Sequence, residues 1–290
     1  MWAVVFTGVI ALASLFTMAR FEILGPMPTF EELENPKTNL ATQIYSEDGE
    51  VLGTYFIENR TYLSYEDMFS ADSDKWLEID GHKLPTIVAA LLATEDVRFF
   101  DHSGIDFKAT ARAGIKTVIL RQSGQGGGST ITQQLAKNLF PRGERDDNKI
   151  VRTLKLVVAK FKEWVTAIKL ERNYTKEEIV AMYLNTVEYG SNAYGIKSAA
   201  ATFFGKQPSE LNLQEAAMLV GVVNAPTRYS PVRNPENALK RRNLVLKRVQ
   251  NIGAITKEEC DSICALPITL NYRPVSHNYG QATYFREMLR

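Results

Sequence analysis

The stretch KIVRTLKLVVAKFKEWVTAIKLE, residues 149 to 171, constrains the fold more than any other part of the chain. Leu154, Val158, Phe161, Val165 and Ile168 recur at helical spacing on one face. Leu156, Ala159, Ala167 and Leu170 form a second apolar stripe on the opposite side. A helix apolar on two faces is expected at the centre of a fold, with other elements against both. Glu163 falls inside the second stripe. It is either a site acid or a rim glutamate paired with Lys160 or Lys162, because carboxylates are rarely buried without a partner or a task.

Around this helix the patterns are helical almost throughout from Leu84 onward. Pro85 fits a first helical position ahead of TIVAALLAT, and Asp106 can cap FKATARAGIKTVIL. Thr175 with Glu178, Asn212 with Glu215 and Thr256 with Glu259 have the spacing of reciprocal caps. Asn234-Pro235 opens a further helix that Gly253 ends. Upstream, TQIYSEDGEVLGTYF alternates around Asp48-Gly49, which predicts a β-hairpin. The expected fold is therefore mainly α, with a short β-hairpin near an N-terminal stalk. No internal repeat is present.

The N-terminus sets the compartment. WAVVFTGVIALASLFTM, from Trp2, carries no charge and approaches the length of a membrane span. A cleaved signal peptide is the competing reading, but neither its basic start nor its small-residue cleavage site is clear here. A transmembrane anchor over 1–20 is expected, followed by a proline-broken stalk over 21–83. A net charge of +1 gives no basic excess for nucleic acid. Cys260 and Cys264, four apart, read as buried free thiols rather than a disulfide, and the three histidines make no metal cluster.

Two stretches could carry chemistry. In GQGGGSTITQQLAKNLF, residues 124 to 140, glycines precede Ser129 and Thr130, and Thr130 with Gln133 fits a capping box. A bare helix start, hydroxyls and the downstream Lys137 suit an anion; an ordinary capped helix behind a surface loop is the plainer reading. No lysine sits between the last glycine and Ser129, so this is not a nucleotide-binding P-loop. In ATEDVRFFDHSGID, Glu95 and Asp96 close an apolar helix and are followed by Arg98 and His102. That cluster suits either a catalytic edge or a solvated helix end.

Taken in order, these blocks resemble the peptidoglycan glycosyltransferase domain of class A penicillin-binding proteins, over about Leu84 to Val249. EDVRFFDHSG is similar to the family's E-D-x-x-F-x-x-H-x-G, and GGSTITQQLAKNLF to G-x-S-T-I-T-Q-Q. KFKEW covers most of R-K-x-x-E, YLNTVEYG matches Y-L-N-x-x-x-x-G, and AYGIKSAAATFFGK to LNLQEAAMLVGVVNAP matches the last block. The resemblance implies a lysozyme-like, two-lobed helical domain over 84–252. Residues 253–290 would lead toward a transpeptidase domain, whose S-x-x-K motif this sequence lacks. A piece of a bifunctional protein is expected, with a monofunctional enzyme the other reading.

The implied reaction polymerises lipid II onto a growing lipid-linked glycan, inverting at the anomeric carbon and releasing undecaprenyl diphosphate. By resemblance Glu95 is the general base, and Glu163 gives acid assistance or electrostatic help at the leaving group. Substrate binding is implied for Asp96, Arg98, His102, Ser129, Thr130, Gln133, Gln134, Lys137, Lys160 and Asn185. No cofactor is implied; a divalent cation is conceivable but not indicated, because cationic side chains can neutralise the diphosphate. Implied partners are the membrane bilayer and other cell-wall synthesis proteins, with the catalytic domain on the extracytoplasmic side of a bacterial inner membrane.

The chain departs from the family pattern at Ala159, Ala181 and Glu188, where an arginine, an acid and a tyrosine are usual. These departures bear on substrate grip and spare both glutamates. A glycan hydrolase of lysozyme type and a non-catalytic lipid-II-binding scaffold are the competing functions.

Overall fold

The structure, a computed structural model, describes residues 63–69, 76–119, 128–140 and 149–274. It also describes the short pieces 42–45, 47–48, 51–55 and 59–60, and Phe6, Ser14 and Thr17. The strands are β1 (Thr42–Tyr45), β2 (Val51–Tyr55), β3 (Asn59–Arg60), β4 (Trp76–Ile79), β5 (His82–Pro85) and β6 (Ala193–Tyr194). The helices are α1 (Tyr65–Met68), α2 (Thr86–Glu95), α3 (Phe107–Ile119), α4 (Ile131–Leu139), α5 (Lys149–Asn173) and α6 (Lys176–Thr186). They continue with α7 (Ile196–Phe204), α8 (Leu213–Val223), α9 (Pro235–Asn251) and α10 (Lys257–Ala265). The fold is mainly α, as the helical patterning implies. Among the described residues no helix is long and apolar enough to cross a membrane. The expected anchor over 1–20 lies almost wholly outside them, as does the glycine run before Gly128.

The chain forms two compact units. One comprises residues 1–37 and 98–179, the other residues 38–97 and 180–290.

In the second unit the core is built around α2. Nine of its ten residues, Thr86 to Thr94, are buried, so it is covered all round. It packs on α8 and α9, which also pack on each other. Periodicity does not announce such a helix, because an element buried on every side has no polar face to alternate with. β1 and β2 pair antiparallel around the turn at Asp48, as the Asp-Gly signal predicts. A second hairpin, β4–β5, turns at Asp80-Gly81, both with positive φ. The same dipeptide rule could have found it. That hairpin also moves Pro85 from the first helical position to the residue before α2.

Local signals set several of the remaining helix starts. Asn212 with Glu215, and Thr256 with Glu259, close both hydrogen bonds of the box. Pro235 opens α9, and Gly253 follows its end at φ +81°. α10 docks on α9, whose Arg242, only 1% exposed, donates to the carbonyls of Leu266, Cys264, Pro267 and Ile263. Those carbonyls lie at and just beyond the end of α10, where intrahelical donors run out, so the buried cation supplies donors there. Cys260 and Cys264 are free thiols, Cys260 buried, with sulfurs 3.9 Å apart.

In the first unit α4 packs on α5. Thr175 and Glu178 cap α6 reciprocally. Here the two-faced reading of α5 needs correction. From Phe161 onward the helix buries Phe161, Glu163, Thr166, Ala167 and Leu170. Its opening turns do not: Leu154 is 61% exposed, Val157 52% and Leu156 45%. Central placement therefore holds for the second half of α5 only, where α4 and the loop at Gly104 lie against it.

Candidate active site

In the second unit, Glu95 is the last residue of α2, and its side chain is 17% exposed. Arg241 of α9 reaches toward it, with Nη2 3.8 Å from Oε1. The guanidinium also stands over the Tyr229 ring, 5.4 Å from its centroid. Tyr183 of α6 is buried within electrostatic range of the same carboxylate. Burial first, then the Glu95 charge and Tyr189, push its phenol well above the ordinary range, so it stays protonated. Arg248, also on α9, donates to the Thr94 carbonyl next to Glu95. Asp96 is 6% exposed, and its amide donates to the Leu92 carbonyl to end the helix.

Asn185, expected to bind substrate, is 3% exposed and committed elsewhere. Its side-chain amide donates to the Leu63 carbonyl at 2.7 Å and its oxygen accepts from the Leu63 amide at 3.2 Å. It ties down the segment before α1.

In the first unit, Glu163 is 6% exposed and pairs with Lys160 at 3.2 Å, one turn earlier on α5. The Lys160 ammonium donates to Ser129 Oγ at 2.8 Å and to Gln133 Oε1 at 3.1 Å. One half-buried cation thus links Glu163 to the start of α4. Thr130 caps that helix by accepting from the Gln133 amide. The capping box expected there is only half formed, because the Gln133 side chain turns away to donate to the Gly104 carbonyl at 3.2 Å. Thr130 Oγ1 donates to the same carbonyl at 2.7 Å. Both side chains are buried, Gln133 at 1% and Thr130 at 2% exposure. Their bonds hold the 102–106 loop, which qualifies the expectation of direct substrate contact. Ser129 and Gln134 are half-buried at this helix start, and Lys137 is exposed one turn on.

The loop explains its own sequence. Gly104 has φ +90°, and a Cβ there would lie 2.8 Å from the Ala167 carbonyl group of α5. Only glycine fits both demands. His102 Nδ1 accepts from the Gly104 amide at 3.2 Å, and the His102 carbonyl accepts from Lys176 at 2.7 Å. Lys176 also pairs with Glu171 at 2.8 Å and lies 4.3 Å from the centre of the Phe99 ring; Glu171 in turn accepts from Thr132. Arg98 donates to Asp106, the cap of α3, which also accepts from the Ala109 amide. Burial opposes the Asp106 charge, but the Ala109 amide and the Arg98 guanidinium together hold its pKa below the ordinary value. Arg98 therefore has a structural partner as well as its expected role at the substrate.

The sequence profile of the transglycosylase family matches residues 62–250. The chain belongs to that family. Penicillin-binding protein 1A of Aquifex aeolicus is 38% identical over 91% of this chain and 33% of its own length. Penicillin-binding protein 1A of Neisseria flavescens is 36% identical over 98% and 31%, and that of Escherichia coli is 33% identical over 96% and 29%. The chain thus spans about a third of the length of these relatives. A crystal structure of penicillin-binding protein 1A from Haemophilus influenzae matches at 22% identity with a TM-score of 0.41, over 88% of this chain and 24% of that one. Membership rests on the sequence. The transglycosylase match begins upstream of Leu84, taking in α1 and the β4–β5 hairpin. Sequence reasoning missed the surroundings of Glu95, since Arg241 and Tyr183 come from distant segments that no local pattern links to it.

Proposed function

We propose that this chain is a peptidoglycan glycosyltransferase that polymerises lipid II during bacterial cell-wall synthesis. The observation that carries the proposal is chemical: Glu95 and Glu163, which by resemblance match the family's two glutamates, each stand beside a cation, Arg241 and Lys160. Glu95 accepts the proton of the acceptor sugar's 4-hydroxyl as that oxygen attacks the donor's anomeric carbon. The anomeric bond to undecaprenyl diphosphate breaks with its electron pair leaving on the diphosphate, and configuration inverts. Glu163 acts through Lys160. Holding the ammonium beside Ser129 and the start of α4, it poises a positive charge where the diphosphate's negative charge develops. Lys137 adds a second cation one turn further on.

The lysozyme-like fold, the 84–252 catalytic domain, the membrane anchor and stalk, and an extracytoplasmic catalytic domain belong to the same reading. So do action without a metal, the bilayer and other cell-wall synthesis proteins as partners, and a further domain beyond residue 290. The test is incubation of the purified chain with lipid II and, separately, with polymeric peptidoglycan. Lengthening glycan from lipid II supports the transferase. Shortening of polymer supports a hydrolase, and binding of lipid II without product supports a scaffold.

A further inference from the structure

Arg241 is an expensive residue to keep where it is. Its side chain is 11% exposed, and its Nε is buried without a hydrogen-bond partner. A buried guanidinium with an unmet donor costs stability unless its charge has a use. Burial lowers its pKa and so does Arg248, while Glu95 and Tyr229 act the other way and favour the charged form. The seat is shaped for it. Gly221 of α8 faces the Arg241 stem, and a Cβ there would stand 3.0 Å from Arg241 Cγ. Tyr229 covers the guanidinium on another side.

The 3.8 Å separation from Glu95 exceeds a hydrogen bond and remains within ion-pair range. A guanidinium at that distance attracts the carboxylate as a charge without tying up its oxygen at bonding distance. We propose that Arg241 is a positioning residue for the transfer reaction, aiming the Glu95 carboxylate at the acceptor hydroxyl from a pocket formed by Gly221 and Tyr229. The proposal rests on the reading of Glu95 as the base. Tyr183 and Arg248 face the same end of α2, Tyr183 as a neutral phenol and Arg248 through the Thr94 carbonyl.

The experiment measures lipid II polymerisation by the full chain and by Arg241→Ala, Arg241→Lys, Glu95→Gln and the Glu95→Gln/Arg241→Ala double variant. Arg241→Ala is expected to lower kcat about 100-fold while KM stays within about twofold, as for a misaimed catalytic group. Arg241→Lys is expected to recover about tenfold, since the charge returns without the planar fork. The double variant is expected to be no slower than Glu95→Gln alone, because both changes remove one coupled unit. If Arg241→Ala does not fold, Arg241→Gln supplies the same comparison at closer volume.

Wild-type turnover in Arg241→Ala alongside an inactive Glu95→Gln would overturn this inference alone. So would a lysine variant no better than alanine, or a loss carried wholly by KM. An active Glu95→Gln would instead overturn the reading of Glu95 as the base.

Discussion

The two units hold their key carboxylates by different means. Glu163 is paired within its own helix, since Lys160 lies three residues earlier and reaches it at 3.2 Å. Glu95 is held across the chain, with Arg241 arriving from α9 at 3.8 Å and Tyr183 from α6. The shorter pair shares its half-buried lysine with Ser129 and Gln133, so Glu163 acts on a network. The looser contact at Glu95 leaves a carboxylate that is less enclosed, 17% exposed against 6%. An acid that must take a proton from substrate needs access; an acid that must fix a cation needs enclosure. The contrast in burial fits the division of labour proposed for Glu95 and Glu163.

This contrast can be broken from either side. Short of removing Glu95 itself, the largest effect, on the same scale as Arg241→Ala, is expected from Glu163→Gln. The neutral amide no longer fixes the Lys160 ammonium, and lipid II turnover falls about 10²-fold, the scale of losing one electrostatic contact at a leaving group. Steady-state turnover beside a thermal melt checks it, and a loss explained by unfolding alone would return Glu163 to a structural role.

Gly104→Ala comes next. Its positive φ and the collision with the Ala167 backbone predict a loss of about 2–3 kcal/mol, measured by denaturant unfolding. Such a loss would show that the loop anchored by Thr130 and Gln133 supports the first unit.

The smallest effect is expected at Asp106. Its pKa is lowered in the folded state, so its contribution is present in full above the ordinary value of 3.8 and is lost as pH falls through the lower folded value. Asp106→Asn should therefore cost about 1 kcal/mol near neutral pH and progressively less below that range. Unfolding curves across acid pH check it. A constant difference down to the most acid values would assign the effect to packing rather than charge.

The same contrast explains what could be read from the sequence. The lysine–glutamate pair on α5 follows from helical spacing, as do the caps at Thr175, Asn212 and Thr256. Each of these is a local relation within three or four residues. The Glu95 surroundings were illegible because they join α2 to α6 and α9, and α2 itself has no polar face to reveal its orientation. The opening of α5 misled for a related reason. Apolar periodicity states which residues share a face, but not whether a neighbour covers it, and Leu154 and Val157 remain exposed. Thr130 and Gln133 read as anion contacts because polar groups at a helix start suit anions, and Asn185 by resemblance alone; the backbone bonds they make at Gly104 and Leu63 join distant segments that no local pattern links.

The most direct measurement follows lipid II binding and polymer formation by Glu95→Gln beside the unchanged chain. If the carboxylate at position 95 is the proton acceptor, the variant binds lipid II with unchanged affinity, melts at the same temperature and polymerises at least about 10³-fold more slowly. Polymer appearing at the unchanged rate would contradict the account.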